Sequence, residues 1–139
     1  MREDLWRFLH DYENAINHDD VAGALRFFCV PSIAWVQGRF FPMADESAVR
    51  HHLTQLFARY RAAGVGVVVH RVQSWHELGP DAAFVDVLWM FARGAEGHWT
   101  YRVAYQLVRV DGGLKILSCL SYDAPLVAGS ATPATATDA

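Results

Sequence analysis

The sequence lacks the features on which several common protein classes depend. It has only two cysteines, Cys29 and Cys119, and neither belongs to a C-x-x-C motif. We therefore exclude a disulfide-dense scaffold and expect two buried thiols in a reducing compartment, which favours the cytoplasm. No apolar run approaches the roughly 18 residues of a membrane-spanning helix. The charged segment Met1-Arg2-Glu3-Asp4 is unlike the start of a signal peptide.

Positive charge and metal-binding motifs are also scarce. Twelve Lys and Arg residues against fifteen Asp and Glu residues give a formal net charge of −3, without a basic stripe for nucleic acid. The seven histidines form no H-x-x-x-H or H-E-x-x-H motif. His51 and His52 are adjacent, so on a helix they diverge by about 100°, and we expect both to be solvated or interfacial. We therefore expect no nucleic-acid partner, no metal and no cofactor.

Apolar residues are abundant. They make up 53% of the 139 residues, whereas charged residues make up 19%. This length is typical of one domain. An apolar excess of this kind indicates a lined cavity, a buried subunit interface, or both.

The hydrophobic spacing and the turn residues predict an α+β domain over residues 1–123. Asp19 or Asp20 is the expected N-cap of the second helix, which Pro31 ends, and Asp45 caps the third, with Gly64 after its last turn. The predicted helices cover residues 5–16, about 21–30 and 46–63, and the predicted strands cover residues 32–36, 39–43, 65–78, 82–92, 98–110 and 114–122.

The last four predicted strands exceed the usual five or six residues. We therefore expect a strongly curved antiparallel sheet packed against three helices of the N-terminal half, in the order α-α-β-β-α-β-β-β-β. From Ala124 onward, Ala, Thr, Pro, Gly and Ser dominate, and we expect residues 124–139 to be a disordered tail.

Three segments resemble the NTF2-like superfamily, which includes ketosteroid isomerases, SnoaL-type polyketide cyclases and scytalone dehydratase. They are residues 12–20 (YENAINHDD), the Phe27-Phe28 pair, and residues 108–116 (VRVDGGLKI). The resemblance covers about residues 5–123. It implies a cone-shaped sheet closed by helices around an apolar pocket, usually in a homodimer that associates through the sheet. Superfamily members include enzymes, binding modules and scaffolds, so the fold alone does not fix the function.

The resemblance to the isomerases extends to one catalytic position. Tyr12 stands eight positions before Asp20, as the oxyanion-hole tyrosine of those enzymes does, and would donate to an enolate oxygen. The alternative is a core tyrosine whose hydroxyl is bonded within the protein. The two isomerase carboxylates are absent, because their places fall at Ala34-Trp35-Val36 and Ala104-Tyr105-Gln106. Without these carboxylates, isomerase activity of that type is not expected.

The resemblance to scytalone dehydratase offers another base. His70 stands where that group carries a pocket histidine, although Asn17 replaces the acid of its first helix. An imidazole in a dry cleft is a natural general base, but a strand histidine bonded to backbone is the alternative.

A third candidate is Asp86, which interrupts the apolar run FVDVL. A buried carboxylate needs a partner, which would be either Arg102 on the next strand or a ligand. A contact across a dimer interface is the remaining alternative. We expect a pocket lined by aromatic residues and Arg102. The predicted lining residues are Trp35, Phe57, Trp89, Tyr101, Arg102, Tyr105 and Tyr122.

Two hypotheses remain open at this point. In the first, the chain is a metal-free proton-transfer isomerase, dehydratase or cyclase acting on a small hydrophobic or cyclic molecule. Tyr12 then stabilises an oxyanion, and His70 or Asp86 moves the proton. In the second, the chain is a non-catalytic, dimeric ligand-binding or scaffold module.

Overall fold

The computed structural model describes residues 1–123, and the predicted tail lies outside the described residues. The predicted order of helices and strands is confirmed. The helices are α1 (Arg2–Asn17), α2 (Val21–Leu25) and α3 (Glu46–Ala62). The strands are β1 (Phe28–Val36), β2 (Arg39–Met43), β3 (Val67–Glu77), β4 (Ala82–Ala92), β5 (His98–Val110) and β6 (Gly113–Asp123). Within residues 1–123, no helix has the length and apolar content needed to cross a membrane.

The six strands form one curved sheet in the order β2-β1-β6-β5-β4-β3. Strands that are neighbours in the sheet pair antiparallel, with one exception: β1 and β6 run parallel to each other. The curved sheet expected from the sequence is therefore present, but it is mixed, because this one pair is parallel. Turn residues predict hairpins only between segments that are neighbours in the sequence. The β1–β6 pair joins segments far apart in the sequence, so no local pattern predicts that they pair.

The sequence prediction that Pro31 ends α2 is wrong. The helix stops at Leu25, and Pro31 lies inside β1. Pairing of β1 with β6 is interrupted between Phe28 and Ile33, and its pairing with β2 begins only at Ser32. Pro31 therefore occupies a stretch without ladder partners, where its missing N–H costs nothing.

The expected caps and turns are present. Asp20 accepts a hydrogen bond from the Gly23 N–H at 2.8 Å, and Asp45 accepts one from the Ala48 N–H at 2.8 Å. Gln37 and Gly38, which join β1 to β2, both have positive φ, at 45° and 93°. Two consecutive left-handed residues make the tight hairpin turn that matches strand twist.

Strict alternation divides the sheet into an inner and an outer face. In β4, the side chains of Val85, Val87, Trp89 and Phe91 are buried, whereas the residues between them are half-buried. Both α1 and α3 pack their apolar rows onto this inner face. The core therefore lies between the inner face and the two long helices.

Two side chains of α1 bind the backbone of β3, which is an edge strand of the sheet. The Asn17 amide donates to the Val68 carbonyl at 2.8 Å and accepts from the Val68 N–H at 2.7 Å. One turn earlier, Glu13 Oε1 accepts from the His70 N–H at 2.8 Å. These contacts fix the last two turns of α1 against the sheet.

Candidate functional site

A cavity lies between the inner sheet face and the helices α1 and α3, with walls from β1, β4, β5 and β6. Its volume is about 40 Å³. By comparison, one water molecule needs roughly 10–15 Å³, and a cavity that binds benzene has roughly 150 Å³. The cavity therefore has room for a few waters but not for a ring.

Four tyrosines line the cavity: Tyr12, Tyr60, Tyr101 and Tyr105. The Tyr101 hydroxyl donates to Ser121 Oγ at 2.9 Å, and the Tyr105 hydroxyl accepts from the indole N–H of Trp89 at 3.0 Å. Burial raises the pKa of every one of these phenols, that of Tyr101 to about 12. The walls therefore present neutral hydroxyl groups at physiological pH.

Tyr12 lies at the centre of an aromatic cluster. Its ring centroid is 6.0 Å from that of Phe28, 6.1 Å from that of Trp89 and 6.4 Å from that of Tyr105, all in edge-on arrangements. Edge-on packing is favourable for aromatic rings, so the phenol is held in place by its neighbours.

His52 also lines the cavity, and the expectation that it is solvated or interfacial is wrong. It is 8% exposed, and its Nδ1 is buried without a hydrogen-bond partner among residues 1–123. Burial, together with the charges of Arg59 and His51, lowers the pKa of His52 to about 4. The imidazole is therefore neutral at physiological pH.

One face of α3 explains why His52 points inward. His52, Leu56, Arg59 and Tyr60 all line the cavity and stand at positions i, i+4, i+7 and i+8 of the helix. This spacing is one face of an α-helix. His51 falls outside that face and is exposed. The helical spacing of residues 52–60 would have predicted that His52 is buried.

The cavity contains no carboxylate among the described residues that line it. The Cys119 thiol lines it too, but burial raises the pKa of this thiol to about 12, so it stays protonated. A protonated thiol is a poor nucleophile. Across residues 1–123, no three His, Cys, Asp or Glu side chains are grouped closely enough to hold a metal ion.

The structure places the predicted lining residues in three environments. Trp89, Tyr101 and Tyr105 line the cavity, as Tyr12 does. Phe57 is buried beside a second cavity of about 80 Å³ between α1, α3 and β3. Trp35, Arg102 and Tyr122 lie on the outer sheet face. Both strand neighbours of Trp35 and of Arg102 line the cavity, as does Ser121, which precedes Tyr122.

Asp86 is separated from Tyr12 by the thickness of the sheet. It lies between Val85 and Val87, which are buried on the inner face, so its side chain is on the outer face. Of the two partners considered, the structure shows Arg102, whose Nη2 donates to Asp86 at 2.7 Å. The Tyr122 hydroxyl donates to the same carboxylate at 2.8 Å.

His70 lies on the inner side of β3 but is not among the residues that line the cavity. Its Nδ1 is 2.7 Å from Glu13 Oε1, the same oxygen that binds its backbone N–H. Its ring centroid is 5.7 Å from that of Trp89. The structure therefore does not bring Tyr12, His70 and Asp86 together in one cavity.

The second cavity adjoins the first. Ile16 and Tyr60 line both, so their side chains form a partition between the two spaces. The Tyr60 ring packs at a centroid distance of 4.8 Å against Phe91 on the side of the first cavity.

Comparisons with known proteins agree on the fold. A family model described as NTF2-like protein (DUF6841) matches residues 2–124. An NTF2-like protein of unknown function from Shewanella oneidensis is similar in structure, with a TM-score of 0.70, 17% identity, and coverage of 88% of this chain and 98% of that chain. A ketosteroid isomerase-like protein from Erwinia carotovora atroseptica gives a TM-score of 0.67, 14% identity, and coverage of 87% and 94%.

A third structure shows how widely the fold is distributed. It is a domain of unknown function with a cystatin-like fold from Nostoc punctiforme, with a TM-score of 0.71, 14% identity, and coverage of 91% of this chain and 79% of that chain. The comparison with curated proteins found no match. At these identities, the likenesses concern the fold alone.

Proposed function

Because the chain belongs to the family described as NTF2-like protein (DUF6841), we propose that it binds a small, largely apolar ring compound between its sheet and its helices. The observation that carries this proposal is the cavity lined by aromatic side chains with a few polar tips. Small-molecule sites commonly have this composition. The likeness to a ketosteroid isomerase-like protein is consistent with a cyclic ligand.

A ligand of one ring requires the cavity to widen. Ile16, Leu56, Arg59 and Tyr60 line it and are also partly exposed, so they mark its opening to solvent. Displacement of the Tyr60 ring toward the second cavity would enlarge the first. We therefore expect weak binding, because part of the interaction energy is spent on rearranging the site.

A second candidate function is proton transfer on a cyclic substrate, as in an isomerase, dehydratase or cyclase. One observation favours it: the Tyr12 phenol and the neutral His52 imidazole line the same cavity. A phenol can donate to a developing oxyanion, and a neutral imidazole can accept a proton. Binding without turnover remains the first proposal, because no carboxylate lines the cavity among the described residues.

A size-matched pair of variants tests the binding proposal. Ala34 is fully buried in the cavity wall, whereas Ala92 is exposed at the end of β4. We expect benzene and toluene to bind the wild-type chain saturably in ligand-observed NMR. Ala34→Leu should weaken this binding at least about tenfold by filling the cavity, and Ala92→Leu should leave it unchanged. Circular dichroism checks that both variants are folded.

Two results would contradict the proposal. One is the absence of saturable binding of either ring compound to the wild-type chain. The other is equal binding by the wild-type chain and a folded Ala34→Leu variant, which would place the ligand elsewhere.

A further inference from the structure

The Nδ1 atom of His52 is buried and has no hydrogen-bond partner among residues 1–123. Buried polar atoms in folded proteins are nearly always paired, so each exception calls for an explanation. His52 is 8% exposed and belongs to the cavity wall. A ligand that enters the cavity and shifts the side chains around this atom would supply its missing partner.

Among the described residues that line the cavity with His52, none carries a carboxylate. On its own helix, the charged and titratable neighbours are Arg59 and His51, whose charges disfavour its protonation. From β2, the apolar ring of Phe41 faces it at a centroid distance of 5.9 Å. The other titratable groups along the cavity wall, the four phenols and the Cys119 thiol, are protonated and neutral. A cationic ligand would therefore meet a cation and no counter-charge.

The chemistry of a neutral imidazole narrows the class of ligand. One of its ring nitrogens donates and the other accepts, and a hydroxyl group can pair with either because it does both. The aromatic walls suit a flat ring. We propose that His52 is the recognition residue of the cavity and that its Nδ1 binds the hydroxyl of a small monocyclic aromatic compound of the phenol class. This inference rests on the binding function proposed above.

Phenol and toluene form a matched pair of probes, because a hydroxyl in one replaces a methyl in the other. We expect the wild-type chain to bind phenol about tenfold more tightly than toluene in ligand-observed NMR at pH 7. His52→Leu should abolish this preference. His51→Leu, on the exposed side of the same helix, should retain it.

Two further measurements keep the inference testable if His52→Leu folds poorly. His52→Gln retains a donor and an acceptor and should keep part of the preference for phenol. In the wild-type chain, the ¹⁵N resonance of His52 Nδ1 should shift on addition of phenol and stay in place on addition of toluene.

The possible failures are distinguishable. If neither phenol nor toluene binds the wild-type chain, the proposed function fails and this inference fails with it. If both bind but their affinity ratio is the same in wild type and His52→Leu, only the role of His52 is overturned. Benzoate serves as a third probe, and tighter binding of benzoate than of phenol would overturn the phenol class.

Discussion

At the scale of single residues, the burial of His52 links the cavity to acid stability. Its pKa is about 4 in the folded chain, below the ordinary value of 6.5. Between these two pH values the unfolded chain binds more protons than the folded chain. The stabilisation of the folded chain that follows from the lowered pKa of His52 is therefore complete above about pH 6.5, and it is lost as the pH falls through about 4.

We predict that His52→Leu reduces the acid sensitivity of folding. In the wild-type chain, the lowered pKa of His52 corresponds to a loss of roughly 3 kcal/mol from the free energy of unfolding between neutral pH and pH 4. Urea unfolding at pH 7 and pH 4.5 should show a smaller difference for His52→Leu than for the wild-type chain. His51→Leu removes only the smallest of the three causes of the lowered pKa, so its pH dependence should stay close to that of wild type. An unchanged pH dependence in His52→Leu would contradict this assignment.

The sequence revealed some residues of the cavity and concealed others. Tyr12 could be predicted because the helical spacing and the family resemblance point to the same position. Asp86 could not be placed, since a shift of one residue in strand register moves a side chain to the other face. His52 was missed because its divergence of about 100° from His51 excludes a shared metal ion without by itself showing which of the two side chains faces the core.

At the scale of the elements, Asn17 joins α1 to β3 because its side-chain amide pairs with both the N–H and the carbonyl of Val68. We predict that Asn17→Ala lowers the free energy of unfolding by about 1–3 kcal/mol, because the Val68 N–H and carbonyl lose their partner in a partly buried site. Asn14→Ala is the matched control, since Asn14 is exposed on the same helix. Urea unfolding measures both variants, and equal stabilities would refute the prediction.

The elements themselves were largely predictable. The bounds of β4 and β5 agree with the sequence prediction, because each strand alternates regularly and ends at glycine-containing turns. The parallel pairing of β1 with β6 and the position of Pro31 within β1 were not predictable. Both depend on which distant segment lies beside β1, and local patterns carry no information about that choice.

At the scale of the whole molecule, a cavity of about 40 Å³ is too small to explain an apolar content of 53%. The outer sheet face provides the other explanation. Ile33 is 37% exposed and Leu120 is 42% exposed on neighbouring strands of that face. Trp35, which pairs with Leu120 in the β1–β6 ladder, lies between them on the same face. We propose that the chain forms a homodimer through this face.

Size-exclusion chromatography with light scattering tests the dimer. The wild-type chain should elute with twice the monomer mass, and Leu120→Glu should elute as a monomer because it buries a charge in the interface. Leu78→Glu is the control, since Leu78 is 53% exposed and lies outside the strands, between β3 and β4. A monomeric wild-type chain would refute the proposal.

The hydrogen bonds of Asn17 and Glu13 also affect how chains can aggregate. An uncovered edge strand can accept a strand from another molecule and start open-ended fibril growth. At one edge of the sheet, α1 already occupies backbone groups of β3 that an added strand would need. At the other edge, β2 is only five residues long and contains Pro42. Growth by strand addition is therefore hindered at both edges, which leaves the outer sheet face as the surface for the proposed homodimer.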